Sequence, residues 1–382
     1  MTRKVAVVVT ARPSYARIKT ALAAMETHPG LELQLVVAAS ALLDRYGGAS
    51  TVIEKDGFRI ASRVFMLLEG ENPQTSAITA GLGLVEMATV FENLKPDAVV
   101  TIADRFETLA TASAAAFMNI PLVHVQGGEV TGSIDEKVRH AVTKLADLHF
   151  VATEKARERV IRMGEDPGRV FVTGCPSIDL AAEVSRRPAN GFDPFAFGVG
   201  PALDLSGRYL VVMQHPVTTE YAEARHQALE TLYAVRDLGL PALWFWPNPD
   251  AGSDGTSKAI RWFREHESPS NIHFFRNFPP EPFLGLLSRC SCIVGNSSAA
   301  IRECAFLGVP AVNIGSRQEG RERGRNVLDA SHDRRAISEA VRLQLAHGPY
   351  APDPVYGDGS AGKRIADLLA SLPLSIEKRL AY

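Results

Sequence analysis

LVHVQGGEVTGSIDEKVRHAV, residues 122–142, holds a strand, its turn and most of the helix of a βα unit. Leu122–Val125 is a short apolar strand, Gly127 and Gly128 break it, and a helical stretch follows near Asp135–Ala146. On an α/β sheet, ligand chemistry collects where a strand gives way to a helix, and this junction is dense in titratable groups. Ser133 followed by Glu136 reads as a capping box, which starts the helix at Ile134 and gives Glu136 a structural task. Asp135 then falls in the first turn with Arg139 four residues on. The two share a helix face and can meet one ligand or each other. Spacing alone leaves a plain surface ion pair equally open.

Outward from this unit the same pattern repeats. Val5–Thr10, Leu33–Ala38, Ala98–Ile102, Leu148–Ala152 and Val170–Thr173 read as strands, several apolar on both faces as buried parallel strands are. Helical stretches near Tyr15–Thr27, Ala77–Leu94, Glu107–Phe117 and Glu154–Met163 separate them. A break at roughly 185–207, rich in Pro, Gly and Asn, ends the series. It resumes with strands at Tyr209–Met213, Leu243–Trp246, Ile272–Phe275, Cys292–Gly295 and Ala311–Ile314, and helices near Glu220–Leu238, Ser257–His266 and Ser298–Phe306. Helices at Arg335–His347 and Gly362–Ala370 finish the chain. The expected fold is α/β, two doubly wound Rossmann-like domains with the carboxyl ends of their sheets facing a cleft. The expected boundaries are 1–185, 186–365 and a segment 366–382 that packs back on the first domain.

Length favours two domains, since 382 residues exceed one ordinary core. Hydrophobic content of 46% and charged content of 22% are those of a globular protein. A net charge of −2 gives no reason to expect nucleic acid or an anionic membrane as partner. The apolar run after Arg3 and Lys4 is too short for a signal peptide, and no later segment reads as a membrane span, so a cytoplasmic location is expected. Cys175, Cys290, Cys292 and Cys304 show neither CxxC spacing nor a Cys/His cluster; four buried free thiols and no metal site are expected.

Other strand ends carry candidate groups. Gly295-Asn296-Ser297-Ser298 lets backbone N–H groups and two hydroxyls approach a phosphate, with simple N-capping by either serine as the plain alternative. Glu303 on the following helix can hold a ribose hydroxyl pair, although most such glutamates are solvated. Arg12 occupies the first βα turn, whose Ala11-Arg12-Pro13-Ser14 lacks the GxGxxG spacing of a dinucleotide fingerprint. That argues against NAD; an arginine at this spot suits a diphosphate held by bidentate hydrogen bonds, with a plain surface arginine as the default. Arg317, Arg321, Arg323 and Arg325 form a basic loop after the last strand of the second half, the kind of run that is usually a solvated face. His215 ends the first strand of that half, and Asp104 ends Ala98–Ile102 near the Asp135 helix, where an aspartate can equally cap the next helix.

Together these segments resemble the hydrolysing UDP-N-acetylglucosamine 2-epimerases of sialic-acid and related nonulosonic-acid pathways. The resemblance covers nearly the whole chain. It rests on Asp104-Arg105-Phe106, Gly127-Gly128-Glu129, Ile134-Asp135 with Arg139-His140, Gly174-Cys175-Pro176-Ser177, Gln214-His215-Pro216-Val217-Thr218-Thr219, Pro247-Asn248 with Asp250-Ala251-Gly252-Ser253, Gly295-Asn296-Ser297-Ser298, and Arg317-Gln318 with Gly320-Arg321-Glu322. It implies a GT-B type of fold, a UDP-sugar substrate, no cofactor, and a homo-oligomer, dimer or tetramer. By family analogy Ser297, Ser298 and Arg12 hold the diphosphate, Glu303 the ribose, and His215, Asn248 and Arg317 contribute to the nucleotide pocket, with Arg321 a further candidate. Asp104 and Asp135 match catalytic carboxylates and Arg139 an active-site arginine.

Gln126 departs from the pattern, because many relatives have glutamate there. An amide donates and accepts hydrogen bonds but cannot exchange a proton as a carboxylate does. Either Asp104 and Asp135 suffice, or Glu129 substitutes, or the activity is altered; the first is favoured because the rest of the constellation is intact. The implied chemistry is loss of UDP from C1 with removal of the C2 proton to give a 2-acetamidoglucal, then addition of water and of a proton on the other face. Gln126 then orients substrate or water. The rivals are a non-hydrolysing epimerase, a relative acting on a UDP-2,4-diacetamido-trideoxyhexose, a GT-B glycosyltransferase and a non-catalytic UDP-sugar sensor.

Overall fold

A computed structural model describes the chain from Thr2 to Ala381, apart from Glu71, Asp104, Gly132, Ser133, residues 187–190 and 248–251, and the side chain of Arg45. It divides into two compact units. The first takes Met1–Glu129, Ile134–Leu180 and Tyr356–Tyr382; the second takes Val130–Ser133 and Ala181–Val355.

Among the described residues the first unit is one parallel sheet of β1 (Arg3–Val9), β2 (Leu31–Ala38), β3 (Ile60–Val64), β4 (Ala98–Ile102), β5 (Leu122–Val125), β6 (Leu148–Val151) and β7 (Val170–Val172). Their order is β3-β2-β1-β4-β5-β6-β7. The direction of build reverses between β1 and β4, the point where doubly wound sheets bind ligands. β1 shows why the sheet is covered on both sides: Val5, Val7 and Val9 enter one core cluster, Ala6 and Val8 another.

The second unit is a parallel sheet of β8 (Leu210–Met213), β9 (Ala242–Phe245), β10 (Ile272–Phe275), β11 (Cys292–Gly295), β12 (Ala311–Ile314) and β13 (Val327–Ala330). The order β10-β9-β8-β11-β12-β13 puts its reversal between β8 and β11. The α/β architecture of two doubly wound Rossmann-like units is therefore the one expected. Edge strands β3 and β13 escape the sequence reading, as do helices Ala49–Lys55, Pro176–Arg186 and Pro280–Leu287.

The chain leaves the first unit at Leu180 and rejoins it at Tyr356, where the sequence suggested 185/186 and 365/366. The helix Ala361–Ser371 lies wholly in the first unit, and Asp179 fixes its start by accepting hydrogen bonds from the Ala361 and Gly362 amides (2.9 and 2.6 Å). Beyond it, Lys378 reaches Glu165, which also accepts from Lys144 (2.5 Å) and the buried His149 (3.0 Å). These three donors hold the Glu165 carboxyl down at about 2 despite its burial. One expectation needs correcting: the helix Pro73–Leu94 is long and apolar enough, by composition, to cross a membrane. It buries Thr79, Gly83, Met87 and Phe91 within the first unit.

Candidate functional site

In the first unit the candidates lie at the carboxyl ends of β1, β4 and β5. Arg12 opens a short helix directly after β1. No described carboxylate, carbonyl or hydroxyl accepts from its guanidinium, and loss of hydration pushes it down to about 10. After β4 the chain turns at Ala103, in the left-handed region at φ +62°. Asp104 lies outside the described residues. His124 on β5 supports this turn: its Nε2 is 2.8 Å from the Ala103 carbonyl and its Nδ1 3.1 Å from the Thr143 hydroxyl. Donation to the carbonyl makes Nε2 the protonated nitrogen and leaves Nδ1 to accept. A Cβ on Gly127 would stand 2.9 Å from His124 Nδ1 and 3.0 Å from Thr143 Oγ1, so this contact requires glycine there.

Gln126 follows β5 with φ +68°, and only 1% of its surface is exposed. Its Nε2 donates to Cys175 Sγ (2.9 Å), while its buried Oε1 has no hydrogen-bond partner among the described residues. Arg139, wholly buried, donates from Nη1 to the Glu129 carbonyl (2.8 Å) and to Glu136 (2.9 Å). The helix Ile134–Leu145 begins where expected and carries Asp135 in its first turn. Ser133, the first residue of the expected capping box, lies outside the described residues. The Glu136 carboxylate is instead engaged by Arg139 and by His140 Nε2 (2.9 Å), three and four residues on along its own helix.

In the second unit Asn296 ties the two strand ends at the reversal point. Its Oδ1 accepts from the His215 amide and its Nδ2 donates to the His215 carbonyl, both at 2.8 Å. Gln318 and Arg317 both donate to the Asn296 carbonyl (2.8 and 3.2 Å). Gly295 permits the turn: at φ +130° a Cβ there would meet the Met213 carbonyl oxygen at 2.2 Å. The expected helix Ser298–Phe306 is broken into a 3-10 turn, Ser298–Ala300, and a short helix, Glu303–Leu307. A macrodipole argument for phosphate binding loses force over so few residues. Ser297 caps the turn through the Ala299 amide (3.3 Å). Glu303 keeps a buried Oε2 with no described donor.

The basic loop divides. Arg323 pairs with Asp329 (2.6 and 2.7 Å) and Arg325 is exposed, so these two are structural or solvated. Arg321, buried, donates to the Val130 carbonyl (3.3 Å). Asn248 lies outside the described residues. Sequence reasoning gave no role to Asn296, His124, Cys175 or Gln214, although all four stand in or beside quoted motifs. Gln214 is 2% exposed and neither of its amide atoms has a described partner.

Comparison with known proteins agrees with this layout. The family model for UDP-N-acetylglucosamine 2-epimerase matches residues 23–370. A UDP-N,N'-diacetylbacillosamine 2-epimerase (hydrolyzing) of Legionella pneumophila is 32% identical over 98% of this chain and 97% of its own length. A UDP-N-acetylglucosamine 2-epimerase of Neisseria meningitidis is 28% identical over 94% and 92%. The crystal structure of UDP-GlcNAc 2-epimerase from Neisseria meningitidis bound to UDP-GlcNAc superposes with a TM-score of 0.77 over 96% of this chain and 99% of that one; at 17% identity it speaks to the fold. With one family model matching residues 23–370 and a relative matched over 98% of the chain, the chain belongs to the UDP-N-acetylglucosamine 2-epimerase family.

Proposed function

We propose that this protein is a hydrolysing 2-epimerase, converting UDP-N-acetylglucosamine or a close UDP-2-acetamido sugar to the free 2-epimer and UDP. The observation that carries the reading is Arg12, a desolvated guanidinium at the first strand end with no described anion to pair with. A half-buried cation that has lost part of its hydration and has no described partner is stabilised when a ligand supplies the opposite charge, and a diphosphate does. Glu303 Oε2, buried without a described donor, is the matching acceptor for ribose hydroxyls.

In this reading Arg12, Ser297 and Ser298 hold the diphosphate, and His215, Asn248 and Arg317 complete the nucleotide pocket. Stabilising the charge on departing UDP lowers the barrier to breaking its bond to C1. Positive charge on the ring then acidifies C2–H. Asp104 and Asp135 move the protons, Arg139 serves the same site, and Gln126 orients substrate or water, with Glu129 and Arg321 in reserve. Water adds at C1 of the 2-acetamidoglucal and a proton at C2 from the opposite face. The hydrolysing route is preferred over return of UDP because the Legionella relative bears that activity in its name. The same name makes a UDP-2,4-diacetamido-trideoxyhexose the second substrate to try. We place the reaction in the cytoplasm, supplying an N-acetylmannosamine-type sugar for nonulosonic-acid synthesis.

A homo-oligomer is part of the proposal. Phe65, Ile78, Leu82 and Val85 are exposed, three of them along one face of the helix Pro73–Leu94. That helix is about 33 Å long at 1.5 Å per residue, enough to form the centre of an isologous contact of about 800 Å² per partner.

Incubation with each UDP-sugar in D₂O, followed by NMR, tests the reaction. Free 2-epimer deuterated at C2, together with UDP, is the expected result. Intact UDP-sugar deuterated at C2 would mean the non-hydrolysing reaction, and neither exchange nor UDP release would refute epimerase activity on these substrates.

A further inference from the structure

We propose that Cys175 is a positioning residue for this reaction: by engaging the Gln126 amide nitrogen it leaves the amide oxygen as the atom offered to the substrate's 2-acetamido N–H. The inference rests on the functional reading above. The Gln126 side chain has two chemically opposite ends, a donating NH₂ and an accepting carbonyl. Which end is available decides what it can hold.

The surroundings fix the choice. Cys175 Sγ lies 2.9 Å from Gln126 Nε2 and 3.0 Å from Ser177 Oγ. The thiol sulfur therefore accepts from the amide, and it shares a second hydrogen bond with the Ser177 hydroxyl in which either atom can donate. With the nitrogen engaged, Gln126 Oε1 remains buried and without a described donor. A buried carbonyl left unmet is unfavourable, and a ligand N–H relieves it. The backbone concurs: a non-glycine residue held at φ +68° at a strand end is strain of the kind that collects at functional sites. All three side chains are at least nine-tenths buried, so water does not compete for these bonds.

A double-mutant cycle separates positioning from mere packing. Cys175→Ala should lower kcat/KM about tenfold, the effect of one lost hydrogen bond to a group that orients substrate. In a Gln126→Leu background the same change should alter kcat/KM by less than about twofold. Cys175→Ser, whose hydroxyl accepts the same bond, should stay within about threefold of the parent. An equal loss in both backgrounds, or serine no better than alanine, overturns the proposal. The S–H stretching band of Cys175, isolated by subtracting the Cys175→Ser infrared spectrum, gives a readout without turnover. It should shift in Gln126→Leu and in Ser177→Ala, and a band unmoved in both overturns the contact itself. A parent protein inert toward every UDP-2-acetamido sugar refutes the functional reading and the positioning role together. An active parent with an additive cycle refutes only the positioning role.

Discussion

Replacing Arg12 by methionine should strengthen the folded protein and weaken its grip on UDP at the same time. Burial lowers the guanidinium from 12.5 to about 10, with no described partner offsetting the loss of water. At roughly 1.4 kcal/mol per unit this is a penalty of at most about 3.5 kcal/mol, and residual contact with solvent reduces it to about 1–3 kcal/mol. For a base whose folded pKa is depressed, the penalty is full at neutral pH and shrinks only as pH rises through about 10. Methionine keeps the packing of the stem and removes the charge, so unfolding by urea without nucleotide should show a gain of about 1–3 kcal/mol. A charge-assisted hydrogen bond is worth about 1.5–3 kcal/mol, so calorimetry should show UDP affinity falling about 10- to 150-fold. The two effects must appear together. A destabilised apo protein would mean that Arg12 has a structural partner, and unchanged UDP affinity would mean that the diphosphate lies elsewhere.

Asp135→Asn, which keeps shape and loses proton exchange, should cut turnover by about 10²–10⁴ and abolish deuterium uptake at C2 in the NMR assay. Glu165→Gln should destabilise the protein by about 3 kcal/mol at pH 7, measured by urea unfolding. Because the Glu165 pKa is depressed, that stabilisation is present above about 4.5 and should fade as pH falls toward about 2. His124→Leu removes the groups that meet the Ala103 carbonyl and the Thr143 hydroxyl; a loss of about 2 kcal/mol and a lower kcat are expected, and unaltered kcat would deny His124 a part in setting the Ala103 turn. Sedimentation equilibrium should find the parent self-associated and Leu82→Glu combined with Val85→Glu monomeric; a monomeric parent would refute the proposed homo-oligomer, and a self-associated double variant would rule this face out.

Strands such as β1, β4 and β11 were readable because both faces are buried along most of their length and their residues are mostly apolar. β3 (IASRV) and β13 (VLDA) were not, since each pairs on one side only and needs no continuous apolar run. Pairing with β2 and β12 makes them strands, and no local pattern reports it. The Arg139 contact shows the same limit at smaller scale. Sequence spacing sets Arg139 against Asp135, four residues away, and gives Glu136 a capping task; helical spacing equally allows a partner three residues away, and the Glu136 bond is settled by packing. Asn296 could be quoted within its motif, but its task of joining two strand ends is set by the His215 backbone 81 residues away.

The residues that sequence chemistry singled out are, in three cases, the ones the folded chain leaves unfulfilled. Arg12 lacks a described anion, Glu303 Oε2 a described donor, and Gln126 Oε1 likewise. Folding alone selects against such groups, because each could be removed with a gain in stability. Each has its own bonding type: a cation suits a diphosphate, one acceptor suits hydroxyls and the other an amide N–H. Gln214 belongs to the same class, with both amide atoms unmet beside His215, and the sequence offered no reason to choose it. A motif reveals which residue types stand at a strand end, whereas unmet bonding capacity reveals which of them still await a partner. Only where the two coincide does a residue become a strong candidate for ligand contact, and by that measure Arg12 leads.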